Sequence, residues 1–279
     1  MPQKGRTAQL IEEGIDYALV GRKDNRVHEI GTTRFPFNTI CHIERDFGDG
    51  KWRGCTGTLI APRVVLVAGH CVYNHRLRRA PDRIRVSPGR SDLYNKPYGS
   101  VISTRYYVPA RFIRSQAPAH PDRKDFDYGM IVLPRPFRGI SRFMKIKALS
   151  GPEFELLKSR GDVTIAGYPA DRPIGSLWRH TKKLKGITPR RLFYTVDTCP
   201  GHSGSSIWLR EGRKPVIIGI HTSGAVDEFG RAYGCSRETV IAPPGMVNSG
   251  VRITPDLLAG ITNPDRAIAW KGRMVRLPL

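Results

Sequence analysis

The sequence has no long run of uncharged apolar residues. Near its start the longest one, Tyr17–Val20, is far shorter than the roughly 20 residues that cross a bilayer, and shorter than the apolar core of a secretory signal. We therefore expect no membrane partner. For residues 1–19 two interpretations stay open, a leader or propeptide remnant and a part of the functional chain.

Cysteine is scarce and follows no metal-binding pattern. The five cysteines, Cys41, Cys55, Cys71, Cys199 and Cys235, include no C-x-x-C pair and no Cys/His spacing of a structural zinc site. We therefore predict no metal site and no cofactor. If four of the cysteines pair, one is left over, and the pairing would indicate an oxidising, secreted or extracytoplasmic location.

Acidic residues are few beside the basic ones. The chain has 24 Asp and Glu against 46 Lys and Arg, a formal net charge of +22, which attracts acidic peptides and other polyanions at low salt. The densest basic cluster, Arg76, Arg78, Arg79, Arg83 and Arg85, lacks the interleaved aromatic residues of a nucleic-acid module. We interpret it as a solvated basic face, with a polyanion site as the alternative, and expect no specific nucleic-acid partner.

What the chain does contain is a series of short apolar runs separated by turn residues. These runs are Thr58–Ile60, Val64–Val67, Met130–Leu133, Val163–Ala166 and Val216–Ile220, and the chain has 29 Gly and 22 Pro. Such spacing predicts an all-β protein. Helices are predicted only at 151–159 and after Thr254, where Pro255 takes the first helical position.

Ser203 lies in a glycine-rich stretch, DTCPGHSGS, at residues 197–205. Glycines on both sides allow a tight turn that aims two backbone N–H groups at one point, as an oxyanion hole requires. The amides of Gly201 and Ser203 are the candidate donors. Alone, a G-x-S-G string is weak, because an ordinary surface turn has the same composition.

His70 ends the apolar run LVAGHC at 66–71, so a strand would hold its imidazole rigidly. The ordinary histidine pKa of about 6.5 suits a general base near neutral pH. A histidine at a strand end is more often structural than catalytic. Cys55, sixteen residues before Cys71, changes those odds, because a disulfide there would clamp the turn that carries His70.

Asp127 opens the string DYGMIVL at 127–133, where its carboxylate could accept a hydrogen bond from an imidazole N–H and fix the tautomer. Asp122 and Asp125 are competitors. Basic residues flank both in a segment that reads as an exposed loop. We favour Asp127, since a triad needs a buried and oriented carboxylate.

Together, the order His, Asp, Ser and the two strings above resemble the chymotrypsin-like serine proteases. The chain resembles more closely their Glu-specific bacterial branch, the glutamyl endopeptidases. The strings that carry this resemblance run in the family's order: VSPGR at 86–90, YGS at 98–100, STRY at 103–106, IAGYP at 165–169, DT at 197–198, GIHT at 219–222 and VRIT at 251–254.

The resemblance implies an all-β fold of two six-stranded antiparallel β-barrels with a short C-terminal helix and the active site in the cleft between the barrels. Residues 20–150 would form the first barrel, with His70 and Asp127, and residues 151–262 the second, with Ser203. Residues 263–279 would be a C-terminal tail. It also implies disulfides Cys55–Cys71 and Cys199–Cys235, which leave Cys41 free.

The same resemblance implies how substrate is selected. In this branch a histidine after the nucleophile and a Thr or Ser five residues before it bind the substrate carboxylate, and the matching residues are His221 and Thr198. A third contact comes from the free α-amine of the processed chain, for which Val20 is the candidate. The chain departs from the family at His202, and at Ser205–Ser206, where Ser-Pro is usual.

From these residues we predict a serine endopeptidase, active after processing of a zymogen and acting as a monomer on acidic peptides or proteins. It would cleave after Glu, less readily after Asp, through an acyl-enzyme. Two rivals remain. One is a related protease of other specificity, for which Lys or Arg is the least favoured because no acid lies five residues before Ser203. The other is a catalytically idle polyanion-binding protein.

Overall fold

Strands are the predominant regular structure in the part of the chain that the computed structural model describes, which is residues 20–21, 23–117, 120–224, 235, 245–262 and 274–278. In chain order the strands are β1 (Val27–His28), β2 (Ile40–Asp46), β3 (Arg53–Ala61), β4 (Val64–Val67), β5 (Arg83–Pro88), β6 (Val101–Ser103), β7 (Tyr106–Pro109), β8 (Gly129–Val132), β9 (Lys145–Ile146), β10 (Asp162–Gly167), β11 (Trp178–Ile187), β12 (Arg191–Tyr194), β13 (Ser206–Glu211), β14 (Lys214–Ser223), β15 (Asn248–Arg252) and β16 (Met274–Leu277). The α-helices are α1 (Ala110–Arg114), α2 (Pro121–Asp125), α3 (Gly151–Arg160) and α4 (Pro255–Thr262). Residues 1–19 lie outside the described part.

The second sheet closes on itself. Its strands run in the order β11-β10-β13-β14-β15-β12, and β12 pairs again with β11, which gives a closed six-stranded barrel. The short strands β1 and β9 add to β11 and β14 at its rim. Inward-facing apolar side chains such as Ile165, Leu192 and Ile218 fill the barrel, because alternate residues of each strand point to the same side.

The first sheet stays open. Its strands run β16-β7-β8-β4-β3-β2-β5-β6, and the ends do not pair along their length. The Ser103 hydroxyl instead donates to the carbonyl oxygen of Val132 at 2.7 Å, and the Val132 N–H donates to the carbonyl oxygen of Arg105 at 3.0 Å. The predicted all-β chymotrypsin-like fold is confirmed, with one correction. The first unit is a half-barrel rather than a closed six-stranded barrel, because β6 is too short to pair along its free edge.

Both predicted helices are confirmed. In α3 the Ser150 side chain and the Glu153 side chain form a capping box, and Pro152 lies in the first turn. In α4 the Leu257 N–H donates to the Thr254 hydroxyl at 3.2 Å, as expected for a threonine cap. The sequence did not predict α1 and α2, which have five residues each. Within the described part of the chain, no helix has both the length and the apolar character to span a membrane.

Much of the basic cluster seen in the sequence is neutralised locally. Arg83 lies 2.9 Å from the Asp46 carboxylate, and Arg85 lies 3.5 Å from that of Glu44. Both guanidinium groups also lie over the ring of Trp52. These contacts favour the interpretation as a solvated face, since the charges already have partners.

Candidate active site

His70 lies in a short 3₁₀ helix, Gly69–Cys71, immediately after β4. The predicted disulfide Cys55–Cys71 is present and joins this turn to β3, with a Cα–Cα distance of 6.4 Å. Arg45 of β2 donates from Nη1 to the His70 carbonyl oxygen at 2.8 Å. The imidazole is therefore delivered by a segment that is fixed to two neighbouring strands.

Asp127 contacts both the backbone and the ring of His70. Its Oδ1 accepts from the His70 N–H at 2.9 Å, and its Oδ2 lies 2.7 Å from Nδ1. Strand register produces this contact, because Val67 of β4 pairs with Gly129 of β8 and the residues flanking that pair must meet. The carboxylate places the ring proton on Nδ1 and leaves Nε2 unprotonated.

The two competing carboxylates lie elsewhere. Asp122 is in the first turn of α2, where its N–H donates to the His120 ring. Asp125 ends that helix and lines a cavity of about 440 Å³ beside β12, together with Arg190 and Phe193.

Ser203 lies in a turn whose backbone only glycine tolerates. Gly201 has a φ of +98° and Gly204 a φ of +87°, values in the left-handed region that favours glycine. Thr56 of β3 holds the turn in place. Its N–H donates to the Ser203 carbonyl oxygen at 2.9 Å, and its hydroxyl donates to that of Gly201 at 2.7 Å.

The Ser203 hydroxyl itself is buried, and no described residue forms a hydrogen bond with it. A Cβ at Gly204 would lie 2.9 Å from the backbone nitrogen of Ala68, two residues before His70. The nucleophile turn of the second barrel thus packs directly against the histidine turn of the first sheet.

This close packing makes Gly204 intolerant of any side chain. An alanine Cβ there would lie 2.2 Å from the Thr56 carbonyl oxygen. We expect Gly204→Ala to lower the free energy of unfolding by about 3–5 kcal/mol in urea denaturation, because strain and a backbone clash combine. Gly212→Ala is the matched control. Gly212 also has a positive φ, +61°, but faces open space, so we expect a loss of only about 1 kcal/mol. Equal losses in the two variants would contradict the clash.

His221 and Thr198 lie beside the nucleophile turn, both buried. The His221 carbonyl oxygen accepts from the Gly204 N–H at 2.8 Å, and the Tyr194 hydroxyl lies 2.6 Å from His221 Nδ1. The Thr198 hydroxyl is buried without a hydrogen-bond partner among the described residues. Buried hydroxyls without a partner are uncommon in folded proteins.

Val20 is buried, and the chain that follows it is tied to Asp197. The Gly21 N–H donates to Oδ1 at 2.9 Å, and the Asn25 N–H donates to Oδ2 at 3.0 Å. Burial alone would raise the pKa of Asp197, but hydrogen bonds from His180, Gly21 and Asn25 outweigh it and hold the pKa below its usual value. This carboxylate therefore has its partners already and is not available to bind a basic substrate side chain.

Sequence reasoning missed a second anchor of the same segment. The Arg26 side chain is fully buried between the carboxylates of Asp24 and Asp171, at 2.7 and 2.5 Å. Glu29 adds an ion pair with Arg179 at 2.8 Å. Asp171 lies 145 residues from Arg26, and Arg179 lies 150 residues from Glu29, so no local pattern could have indicated these two contacts.

The remaining sequence-level expectations concern residues next to the nucleophile. His202 is buried and its pKa is lowered to about 3, chiefly by burial; its Nδ1 accepts from the Cys199 N–H at 3.1 Å. It is therefore a neutral structural histidine. The predicted disulfide Cys199–Cys235 is present, and Cys41 is free and buried, as predicted. Burial raises the pKa of the Cys41 thiol well above its usual range.

One group of residues in the described part could in principle hold a metal ion: Cys55, His70 and Cys71. Its two sulfur atoms are joined in the disulfide. A disulfide sulfur is not the thiolate that binds metals, so this group does not fit a metal site.

The comparisons with known proteins agree with this geometry. Residues 28–240 match the trypsin family. The glutamyl endopeptidase of Bacillus licheniformis is 31% identical over 245 residues, which cover 86% of this chain and 67% of the relative. A Bacillus subtilis protein named extracellular metalloprotease is 28% identical over 241 residues, 85% of this chain and 67% of the relative.

A solved structure of a Glu endopeptidase in complex with MPD has a TM-score of 0.70 and 26% identity, and the match covers 89% of this chain and all of that one. The family match spans the elements that carry His70, Asp127 and Ser203. We therefore conclude that this chain belongs to the trypsin family and is a serine endopeptidase.

Proposed function

We propose that this protease cleaves peptide bonds after Glu, and less readily after Asp, with Ser203 as nucleophile. The observation that carries the catalytic part is the contact of Asp127 with both the N–H and the ring of His70. The specificity part is supported by the buried pair His221 and Tyr194 and by the buried hydroxyl of Thr198, which has no hydrogen-bond partner among the described residues.

In the proposed reaction, His70 Nε2 takes the proton of the Ser203 hydroxyl as Oγ bonds to the substrate carbonyl carbon. The Gly201 and Ser203 amides donate to the oxyanion that forms. His70 then gives its proton to the leaving amine as the C–N bond breaks, which leaves an acyl-enzyme. Water, deprotonated by His70, attacks the acyl carbon, and the proton returns to Ser203 as the acid departs.

In this proposal, Glu is selected by two hydrogen-bond donors that lie beside the nucleophile turn. With its ring proton on Nε2, His221 accepts the Tyr194 O–H at Nδ1 and presents an N–H to a substrate carboxylate. Thr198 offers a second donor. The net charge of +22 favours the approach of acidic chains. Neutral hydrogen-bond donors of this kind favour an acidic substrate side chain. A buried acid at the same place would instead favour a basic one.

The α-amine of Val20 is the third proposed contact. Val20 is buried, and the Gly21 amide is fixed to Asp197, the residue next to Thr198. Cleavage before Val20 would create a cationic amine close to the pocket. We therefore propose a zymogen that matures at this bond and a secreted, monomeric enzyme. The two disulfides and the extracellular relative from Bacillus subtilis support that location.

A peptide library tests the proposal directly. Purified protein, before and after specific cleavage in front of Val20, is incubated with the library, and cut bonds are identified by mass spectrometry. We expect cuts clustered after Glu, fewer after Asp, stronger selectivity in the cleaved form, and none with Ser203→Ala. Ser203-dependent cuts after other residues would overturn the specificity, and cuts that persist without Ser203 would overturn the assigned nucleophile.

A further inference from the structure

Arg191 is a buried cation between the two halves of the site. It begins β12, and only 6% of its surface is exposed. Nη1 donates to the backbone carbonyl oxygen of Lys124, in the helix just before Asp127. Nη2 donates to the hydroxyls of Ser223 and Ser249 at 2.8 and 2.6 Å. One side chain thus joins helix α2 to strands β14 and β15 of the second barrel.

No carboxylate of a described residue lies within ion-pair distance of this guanidinium, and all of its hydrogen-bond acceptors are neutral. Burial lowers the pKa of Arg191, while the negative charges of Asp127 and Asp125 act in the opposite direction. A buried charge without a paired counterion is costly. Asp127 is one of the acidic groups that interact electrostatically with this guanidinium, after Tyr194 and before Asp125.

We propose that Arg191 is a positioning residue for the catalytic pair, which rests on the proposed roles of His70 and Asp127. Its guanidinium holds the segment just before Asp127, through Lys124, against Ser223 at the end of the strand that carries His221. Its charge disfavours a second positive charge on His70. The predicted consequence is that His70 stays neutral, and able to act as a base, down to lower pH.

Other charged groups also face the pair and must be kept constant. Arg45 of β2 donates to the His70 carbonyl oxygen, and Asp125, the last residue of α2, lies two residues before Asp127. His75, which follows the histidine turn, binds the Phe112 carbonyl oxygen at 2.7 Å, and burial lowers its pKa. None of these residues is changed in the test, so a shift in the pH profile reports on Arg191.

The experiment measures kcat and KM of the processed enzyme from pH 5 to 9 for Arg191→Gln, Arg191→Lys and the control Arg252→Gln. Arg252 lies on the neighbouring strand and donates to the carbonyl oxygen of Leu149, away from the catalytic residues, so the control removes the same net charge. We expect Arg191→Gln to raise the midpoint of the acidic limb of kcat/KM by about half a pH unit. Its kcat should fall about tenfold, with KM little changed, because the pair is misplaced.

Arg191→Lys should keep the wild-type midpoint, since the charge remains, yet lose part of kcat, because an ammonium cannot reproduce the planar fork. A midpoint in Arg191→Gln equal to that in Arg252→Gln would overturn the proposal. If Arg191→Gln fails to fold, Arg191→Lys decides, and wild-type kcat in that variant overturns it. Full activity in His70→Ala would instead mean that the proposed function itself is wrong.

Discussion

Replacing Ser203 by alanine should lower kcat for peptide hydrolysis about 10⁵-fold or more, to the level that binding and the oxyanion hole alone provide. The substitution removes one atom that has no hydrogen-bond partner among the described residues. Thr56 holds the turn through backbone carbonyl oxygens, which the variant keeps. We therefore expect an unchanged melting temperature together with the loss of turnover.

Ser205→Ala is the matched control for this variant. Ser205 lies two residues further along the same turn, is buried, and also has a hydroxyl without a partner among the described residues. Its loss should leave kcat within about threefold of wild type, since an ordinary buried hydroxyl has little effect on chemistry. Comparable losses at Ser203 and Ser205 would indicate that the turn, rather than one nucleophile, had been damaged.

His70→Ala should lower kcat about as much as Ser203→Ala does, and the double variant should lower kcat little more than either single variant. Residues that act as one unit lose their joint contribution when the first is removed. Additive losses would indicate that Ser203 and His70 act independently, which the proposed mechanism excludes. Single-turnover assays with an ester substrate measure the acylation step on its own and show which half-reaction each residue serves.

Much of the fold was predictable because it depends on local patterns. Short apolar runs between turn residues indicated strands such as β4 and β8, and the threonine and proline at 254–255 indicated the last helix. The sequence strings carry the resemblance to a known family, and that resemblance implied which cysteines form the two disulfides. That resemblance also supplied the order of the triad, which no periodicity shows.

What the sequence could not show depends on register and on distant contacts. Asp127 meets His70 because Val67 pairs with Gly129, a register that no local pattern fixes. The first sheet remains open because β6 has only three residues. Arg191 has the same residue type as the solvated arginines around it, and only the fold shows that it is buried between Lys124 and Ser223. The roles of the site residues stay predictions for the kinetic experiments.

The second large effect concerns specificity and is expected at His221. The relevant measure is the ratio of kcat/KM for two peptides that differ only in Glu or Gln at the cleaved bond. His221→Ala should reduce the preference for Glu about 100-fold, because a pocket that loses a donor leaves a buried carboxylate unpaired. The kcat/KM for the Gln peptide should change by less than about threefold, since His221 holds the Gly204 N–H through its backbone oxygen, which the variant keeps.

Tyr194→Phe refines the same test. It removes the hydroxyl 2.6 Å from His221 Nδ1 but keeps the buried ring. Without that donor, the His221 ring is free to take the other tautomer and turn a lone pair toward the substrate carboxylate. We expect an intermediate loss of Glu preference, about tenfold, with the Gln peptide again little affected. Equal losses for the Glu and Gln peptides in both variants would mean that His221 supports the nucleophile turn and does not bind the carboxylate.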